Sequence, residues 1–95
     1  MENYAKVIIE KKRLSSLQES ISIGKQIMER KLAAYQKKIE KFEQAGEMDT
    51  EAFIMSFNKG ELGDNKKWLE WDHVASVVNL LKKKLDDLES LKYEY

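Results

Sequence analysis

The chain has 95 residues, 42% of them hydrophobic and 36% charged, and its 17 basic residues balance its 17 acidic ones. This length supports one domain, and the combination of high apolar and high charged content is typical of amphipathic helices. The absence of cysteine excludes disulfides and thiolate metal sites, and without an apolar run near ~20 residues or a signal-peptide pattern we expect a cytoplasmic protein with no membrane contact.

Charge is distributed unevenly along the chain. Residues 1–45 carry ten Lys or Arg against six Glu, a net +4, whereas residues 46–95 carry seven Lys against eleven Asp or Glu, a net −4. Two helical arms of opposite sign attract each other when they lie side by side. A basic arm also fits weak nucleic-acid binding, but its one dense cluster is Lys11-Lys12-Arg13, so nucleic acid is the less favoured partner.

The first half of the chain is predicted to be helical as far as Phe42. Its apolar residues recur in steps of three and four, which is typical of coiled-coil-like packing. They are Leu14, Leu17, Ile21, Met28, Leu32, Tyr35, Ile39 and Phe42. A continuous helix over residues 4–44 would be about 60 Å long, so either it breaks in the weak segment 20–24 or its N-terminal part projects and pairs with another chain. We favour projection, and divide this half into a projecting or partner-binding arm, 1–20, and a helix, 21–45.

Turn-forming residues are concentrated in the middle of the chain. Gly46 is predicted to end the first helix in the left-handed conformation that such positions favour. Asp49 is a good N-cap for a short helix over residues 49–58, and Gly60 closes that helix. A tight connection follows.

The last helix is predicted over residues 64–92, with Asp64 as its cap. Its apolar residues again follow helical spacing: Trp68, Trp71, Val74, Val78, Leu81, Leu85 and Leu88. At roughly 40 Å this helix matches residues 18–44 in length. We therefore predict an all-α fold, a long antiparallel helical hairpin with a short connecting helix and coiled-coil-like packing. Its apolar stripe would need a second copy or another protein to cover it, so we expect a dimer.

The residue types that carry catalysis or bind metal are sparse. The one histidine, His73, lies three residues after Glu70, but helical metal sites of the Glu-x-x-His kind need a second such pair. The segment Gly60-Glu61-Leu62-Gly63 lacks the Lys-Ser/Thr that follows a phosphate-binding loop. We expect no catalytic, cofactor-binding or metal site, and no enzyme.

Aromatic residues near the central turns are the most informative feature. Tryptophan is expensive to leave in water and is enriched in binding hot spots, so these residues suit either the core or an interface. We predict partner binding through them and through apolar residues of the N-terminal arm. The predicted partner-binding residues are Phe53, Phe57, Trp68, Trp71, Val7, Ile8 and Leu14.

Residues 28–91 resemble a group of small helical prokaryotic proteins, chiefly archaeal and cyanobacterial, that are regarded as antitoxin-like partners of a toxin encoded beside them. The turn Gly60-Glu61-Leu62-Gly63-Asp64 followed by Glu70-Trp71 is the specific part of the resemblance. Residues 1–27 fall outside it. The resemblance implies a protein that binds and silences a toxin, and it supplies no catalytic residues.

Taken together, these patterns predict a non-catalytic, antitoxin-like module that binds and neutralises a protein partner through helix faces. An alternative is a structural coiled-coil homo-oligomer without an obligate partner. A second alternative is weak nucleic-acid binding by the basic N-terminal half, which would weaken steeply with salt.

Overall fold

The computed structural model describes residues 5–94. In chain order the elements are β1 (Ala5–Ile8), α1 (Lys11–Gly46), α2 (Thr50–Asn58), α3 (Lys66–Glu89) and β2 (Leu91–Glu94). The 36 residues of α1 correspond to about 54 Å of helix, which accounts for the longest dimension of the molecule, 55 Å. No helix in the described range is long and apolar enough to cross a membrane.

The helices α1 and α3 pack along each other as a hairpin. Near the end of α1, Phe42 stacks on Trp71 from the second turn of α3. At the opposite end, Ile21 of α1 and Leu91 of β2 line the same groove. The predicted all-α helical hairpin is therefore confirmed for the helical part of the fold.

The two apolar seams of the hairpin are buried to different degrees. On α3, the seam supplies most of the core: Trp71, Val74, Ala75, Val78, Leu81 and Leu85 are all buried. On α1, every residue of the predicted seam is half-buried, and no residue of this helix is fully buried. The seam of α1 therefore stays partly open to solvent along its whole length, including where it lies beside α3.

A short parallel sheet joins the two ends of the described chain, and the sequence analysis did not predict it. β1 pairs with β2 in the register Ala5↔Leu91 to Ile8↔Glu94. Helix α1 continues without a break through residues 20–24 and begins only at Lys11. Residues 5–8 of the predicted helix are instead a strand, because the β-branched pair Val7-Ile8 adopts the extended conformation that such residues favour. Residues 1–4 of the predicted arm lie outside the described residues. Likewise, α3 ends at Glu89 rather than near residue 92.

Two helix ends differ from the sequence-based expectation by one residue. The left-handed residue after α1 is Glu47, with φ 54°, and Gly46 is the last helical residue. Gly46 is instead required by space, since a Cβ there would lie 2.9 Å from a ring carbon of Trp71. The cap of α3 is Asn65, whose side chain accepts a hydrogen bond from the Lys67 N–H, and not Asp64. Both Asn and Asp are favoured N-cap residues, so the sequence alone could not show which of the adjacent residues Asp64 and Asn65 is the cap.

The other predicted turn features are confirmed. Asp49 caps α2 by accepting a 2.8 Å hydrogen bond from the Ala52 N–H. After α2, the Glu61 N–H donates to the Ser56 carbonyl and Gly60 has a φ of 75°, which together make a Schellman-type ending. Gly63 also has a positive φ. The Gly-Glu-Leu-Gly-Asp segment is thus the tight connection that leads into α3.

Candidate functional site

The four aromatic residues singled out from the sequence form one cluster where α2 meets α3. The Phe53 and Trp71 rings are nearly parallel, with centroids 4.0 Å apart. Phe57 and Trp68 contact Phe53 at 5.4 Å and 5.8 Å. Phe42 of α1 stacks on Trp71 at 5.8 Å, so the cluster includes residues of all three helices.

A chain of hydrogen bonds accompanies the aromatic cluster. The Trp71 indole N–H donates to the Thr50 hydroxyl at 3.1 Å. That hydroxyl lies 3.1 Å from a carboxylate oxygen of Glu43, and the Thr50 backbone N–H donates to the same oxygen at 2.8 Å. The polar atom of the buried tryptophan is therefore satisfied, and α1, α2 and α3 are linked through one hydroxyl.

Burial divides the predicted partner-binding residues. Phe53 and Trp71 are 0% and 1% exposed, so both belong to the core of this chain and present no surface to a partner. Phe57 and Trp68 are half-buried, and Lys67 Nζ lies 4.4 Å from the centroid of the Trp68 ring. The accessible part of the cluster is therefore limited to Phe57, Trp68 and Phe42, which is also half-buried.

The three predicted residues of the N-terminal arm lie at the far end of the hairpin. Val7 and Leu14 are half-buried, whereas Ile8 is 83% exposed. They belong to β1 and the first turn of α1, while the aromatic cluster packs against the last turns of that ~54 Å helix. The two predicted groups consequently do not form one continuous surface.

A groove of about 880 Å³ runs between α1 and α3 beside the aromatic cluster, and the sequence analysis did not identify it. Its floor is apolar, formed by Tyr35, Phe42, Ala45, Leu69 and Val74. Leu69 is 51% exposed, so it offers apolar surface to the groove. We call this feature the lysine-rimmed groove, because three of the polar residues around it are lysines.

The rim of the lysine-rimmed groove is basic. Its polar residues are Lys38, Lys41, Lys66, Glu70 and His73. Lys66 Nζ lies 3.9 Å from a carboxylate oxygen of Glu70, so the positive charge of this lysine is partly compensated. Lys38 Nζ lies 4.8 Å from the Tyr35 ring centroid. With histidine neutral, the rim therefore carries a net positive charge around an apolar floor.

Exposed apolar residues extend the same face of the hairpin. Ile23 and Ile27 of α1 are 58% and 59% exposed, and steps of three or four lead from them to Lys38 and Lys41 on the same side of the helix. On α3, the same spacing leads from Leu69 to Leu80, which is 52% exposed. The groove is thus the deepest part of a broader, partly apolar face.

One signal in the sequence could have indicated this groove. Leu69, His73, Val77 and Leu80 follow helical spacing beside the main seam of α3. The main seam of each helix was taken as its one apolar stripe. The second stripe was therefore not recognised as a surface.

Among residues 5–94, no group of three His, Asp or Glu side chains is placed to hold a metal ion. His73 is an exposed residue of the groove rim, adjacent to the Lys66–Glu70 pair. No family model, curated protein or solved structure matches this chain.

Proposed function

We propose that this chain is a non-catalytic binding protein that docks a partner protein on the lysine-rimmed groove. The observation that carries the proposal is the apolar floor between α1 and α3, which is left open beside a well-packed core. A concave site with an apolar floor and a few polar groups at its rim is a common form of binding site. Apolar anchors inside a charged rim are also the usual anatomy of a protein interface.

The aromatic cluster has a supporting role in this proposal. The stacking of Phe53 on Trp71 fixes α2 against the hairpin, and the stacking of Trp71 on Phe42 sets the spacing of the two helices that flank the groove. Half-buried Phe42, which stacks on Trp71 and also lines the groove, is shared by the cluster and the docking surface. The cluster therefore shapes the docking surface and contributes its margin.

We further propose that the partner is a toxin encoded beside this chain, which the chain silences by covering an active surface. The support is the resemblance of the Gly60–Asp64 turn and Glu70-Trp71 to antitoxin-like proteins. In this role the chain acts in the cytoplasm, where both proteins are made. A groove of this kind needs no catalytic residue to inhibit a partner.

The test is co-expression with the proteins encoded directly beside this chain. A neighbour that arrests growth alone, and whose arrest is relieved by this chain with formation of a stoichiometric complex, supports the proposal. Neighbours that neither bind the purified chain nor respond to its presence overturn it.

A second candidate is a homo-oligomer without another partner, and the open seam of α1 favours it. The half-buried seam residues and exposed Ile23 and Ile27 would be covered by a second hairpin in a four-helix arrangement. Sedimentation of the purified chain distinguishes the two. A stable dimer at low micromolar concentration favours the homo-oligomer, and a monomer disfavours it.

A further inference from the structure

We infer that the lysine-rimmed groove binds an acidic amphipathic helix. This inference rests on the proposed function, because it specifies the chemistry of the protein partner. The two sides of the groove come from helices that pack lengthwise on each other. A third helix laid between them would bury its apolar side on Tyr35, Phe42 and Leu69, which is the geometry of helix-in-groove recognition.

The charges at the rim of the groove determine which sign of charge the bound helix should carry. Lys38 and Lys41 are three residues apart on α1, and Lys66 faces the groove from α3. Among the described residues, Lys41 forms no ion pair, and Lys38 is placed over a tyrosine ring rather than a carboxylate. Carboxylates along the edge of an incoming helix that faces α1 would pair with Lys38 and Lys41, whereas lysines there would be repelled. On the α3 side, Lys66 is already paired with Glu70.

The same charges disfavour a second copy as the occupant. A twofold dimer places identical patches against each other, so both sides of the interface would carry Lys38, Lys41 and Lys66. Like charges brought together in an interface oppose association and suppress wrong partners. An acidic partner forms the same apolar contacts without that repulsion.

The direct test uses two synthetic helical peptides of about 18 residues, roughly 27 Å long. Both peptides carry leucines at helical spacing on one face. Along the edges of that face, the acidic peptide has glutamates and the basic peptide has lysines. Binding is measured by fluorescence anisotropy at about 50 mM salt. We expect the acidic peptide to bind at least about tenfold more tightly than the basic one, and to weaken as salt is raised.

Charge-reversed variants locate the binding surface. We expect Lys38→Glu combined with Lys41→Glu to weaken binding of the acidic peptide by about tenfold or more. The matched control is Lys82→Glu with Lys83→Glu, which makes the same charge change at exposed positions of α3 outside the groove. The control is expected to bind as the unaltered chain does. Circular dichroism checks that each variant is folded.

Three results would overturn the inference. The first is that the two peptides bind with equal affinity, or that neither peptide binds. The second is binding that is insensitive to the Lys38 and Lys41 changes, or equally sensitive to the control changes. The third is a homodimer that Leu69→Glu dissociates, because the groove would then be occupied by a second copy.

The failure of this inference is distinguishable from failure of the proposed function. A neighbouring protein that forms a complex regardless of the Lys38 and Lys41 changes removes the acidic-helix inference and leaves partner binding in place. A chain that binds the acidic peptide but no encoded neighbour supports the inference and counts against the toxin assignment.

Discussion

The indole N–H of Trp71 donates a 3.1 Å hydrogen bond to the hydroxyl of Thr50, the first residue of α2. Through that hydroxyl the buried tryptophan of α3 is connected to Glu43 of α1. The aromatic stack holds the three helices together because its rings bury apolar surface. The chain of hydrogen bonds fixes the position of the helices relative to one another. Both are needed to set the width of the neighbouring groove.

Replacing Thr50 by valine is expected to destabilise the fold. Valine keeps the shape of threonine but leaves the indole N–H and one Glu43 interaction without a hydroxyl, at a cost of about 1–3 kcal/mol in the free energy of unfolding. Urea denaturation measures this cost. Thr50→Ser keeps the hydroxyl and should cost less. Equal losses in the two variants would mean that the hydroxyl contributes nothing.

Truncating Phe53 to alanine is expected to remove most of the stability of the chain. The side chain is fully buried and contacts three other aromatic rings, and such truncations cost about 3–5 kcal/mol. Small domains have only about 5–15 kcal/mol in total. Met55→Ala, at a neighbouring position that is 61% exposed, is the matched control and should change the thermal midpoint little. Similar midpoints for the two variants would contradict the assigned core.

The junction after α1 predicts opposite effects for two adjacent substitutions. Glu47 has a φ of 54°, so Glu47→Gly should stabilise the chain by about 0.5–1 kcal/mol. Gly46→Ala should destabilise it by about 1–3 kcal/mol despite better helix propensity, because the new methyl would press on the buried Trp71 ring. Chemical denaturation of the pair tests both signs. Stabilisation by Gly46→Ala would contradict the close approach of that ring.

The two-stranded sheet is expected to be the least stable part of the described chain. Isolated two-stranded sheets are marginal in water, and each strand here has four residues. Amide hydrogen exchange should therefore be much faster at residues 6–8 and 92–94 than at the core positions of α3 between Trp71 and Leu85. Comparable protection in the two regions would show that the sheet unfolds only with the helices.

The helices were predictable because their signals are local. The spacing of Leu32, Tyr35 and Ile39, or of Trp71, Val74 and Val78, identifies the inward side of each helix without any knowledge of the partner. Where a capping side chain is present, as before α2 and α3, it gives the helix start to within one or two residues. The exchange of Asp64 for Asn65 as the cap reflects that limit.

The sheet and the groove depend on long-range arrangement. Ala5 pairs with Leu91, residues at opposite ends of the described chain. The β-branched run Val7-Ile8-Ile9 favours an extended conformation, but it does not say which segment pairs with it. Similarly, Tyr35 and Leu69 become neighbours across the groove only when α1 packs on α3. Apolar residues such as Leu69 and Leu80 can be recognised as a surface stripe only when it is known that another face of α3 forms the core.

The most direct test of the central claim, docking of a partner protein on the lysine-rimmed groove, is the affinity of the Leu69→Glu variant for the partner encoded beside this chain. The matched control is Met55→Glu, which places the same charge at an exposed apolar position on α2, outside the groove. We expect Leu69→Glu to weaken the complex by about a hundredfold or more and Met55→Glu to leave it unchanged. Unaltered affinity in the Leu69→Glu variant, with its helix content intact, would contradict docking at this groove.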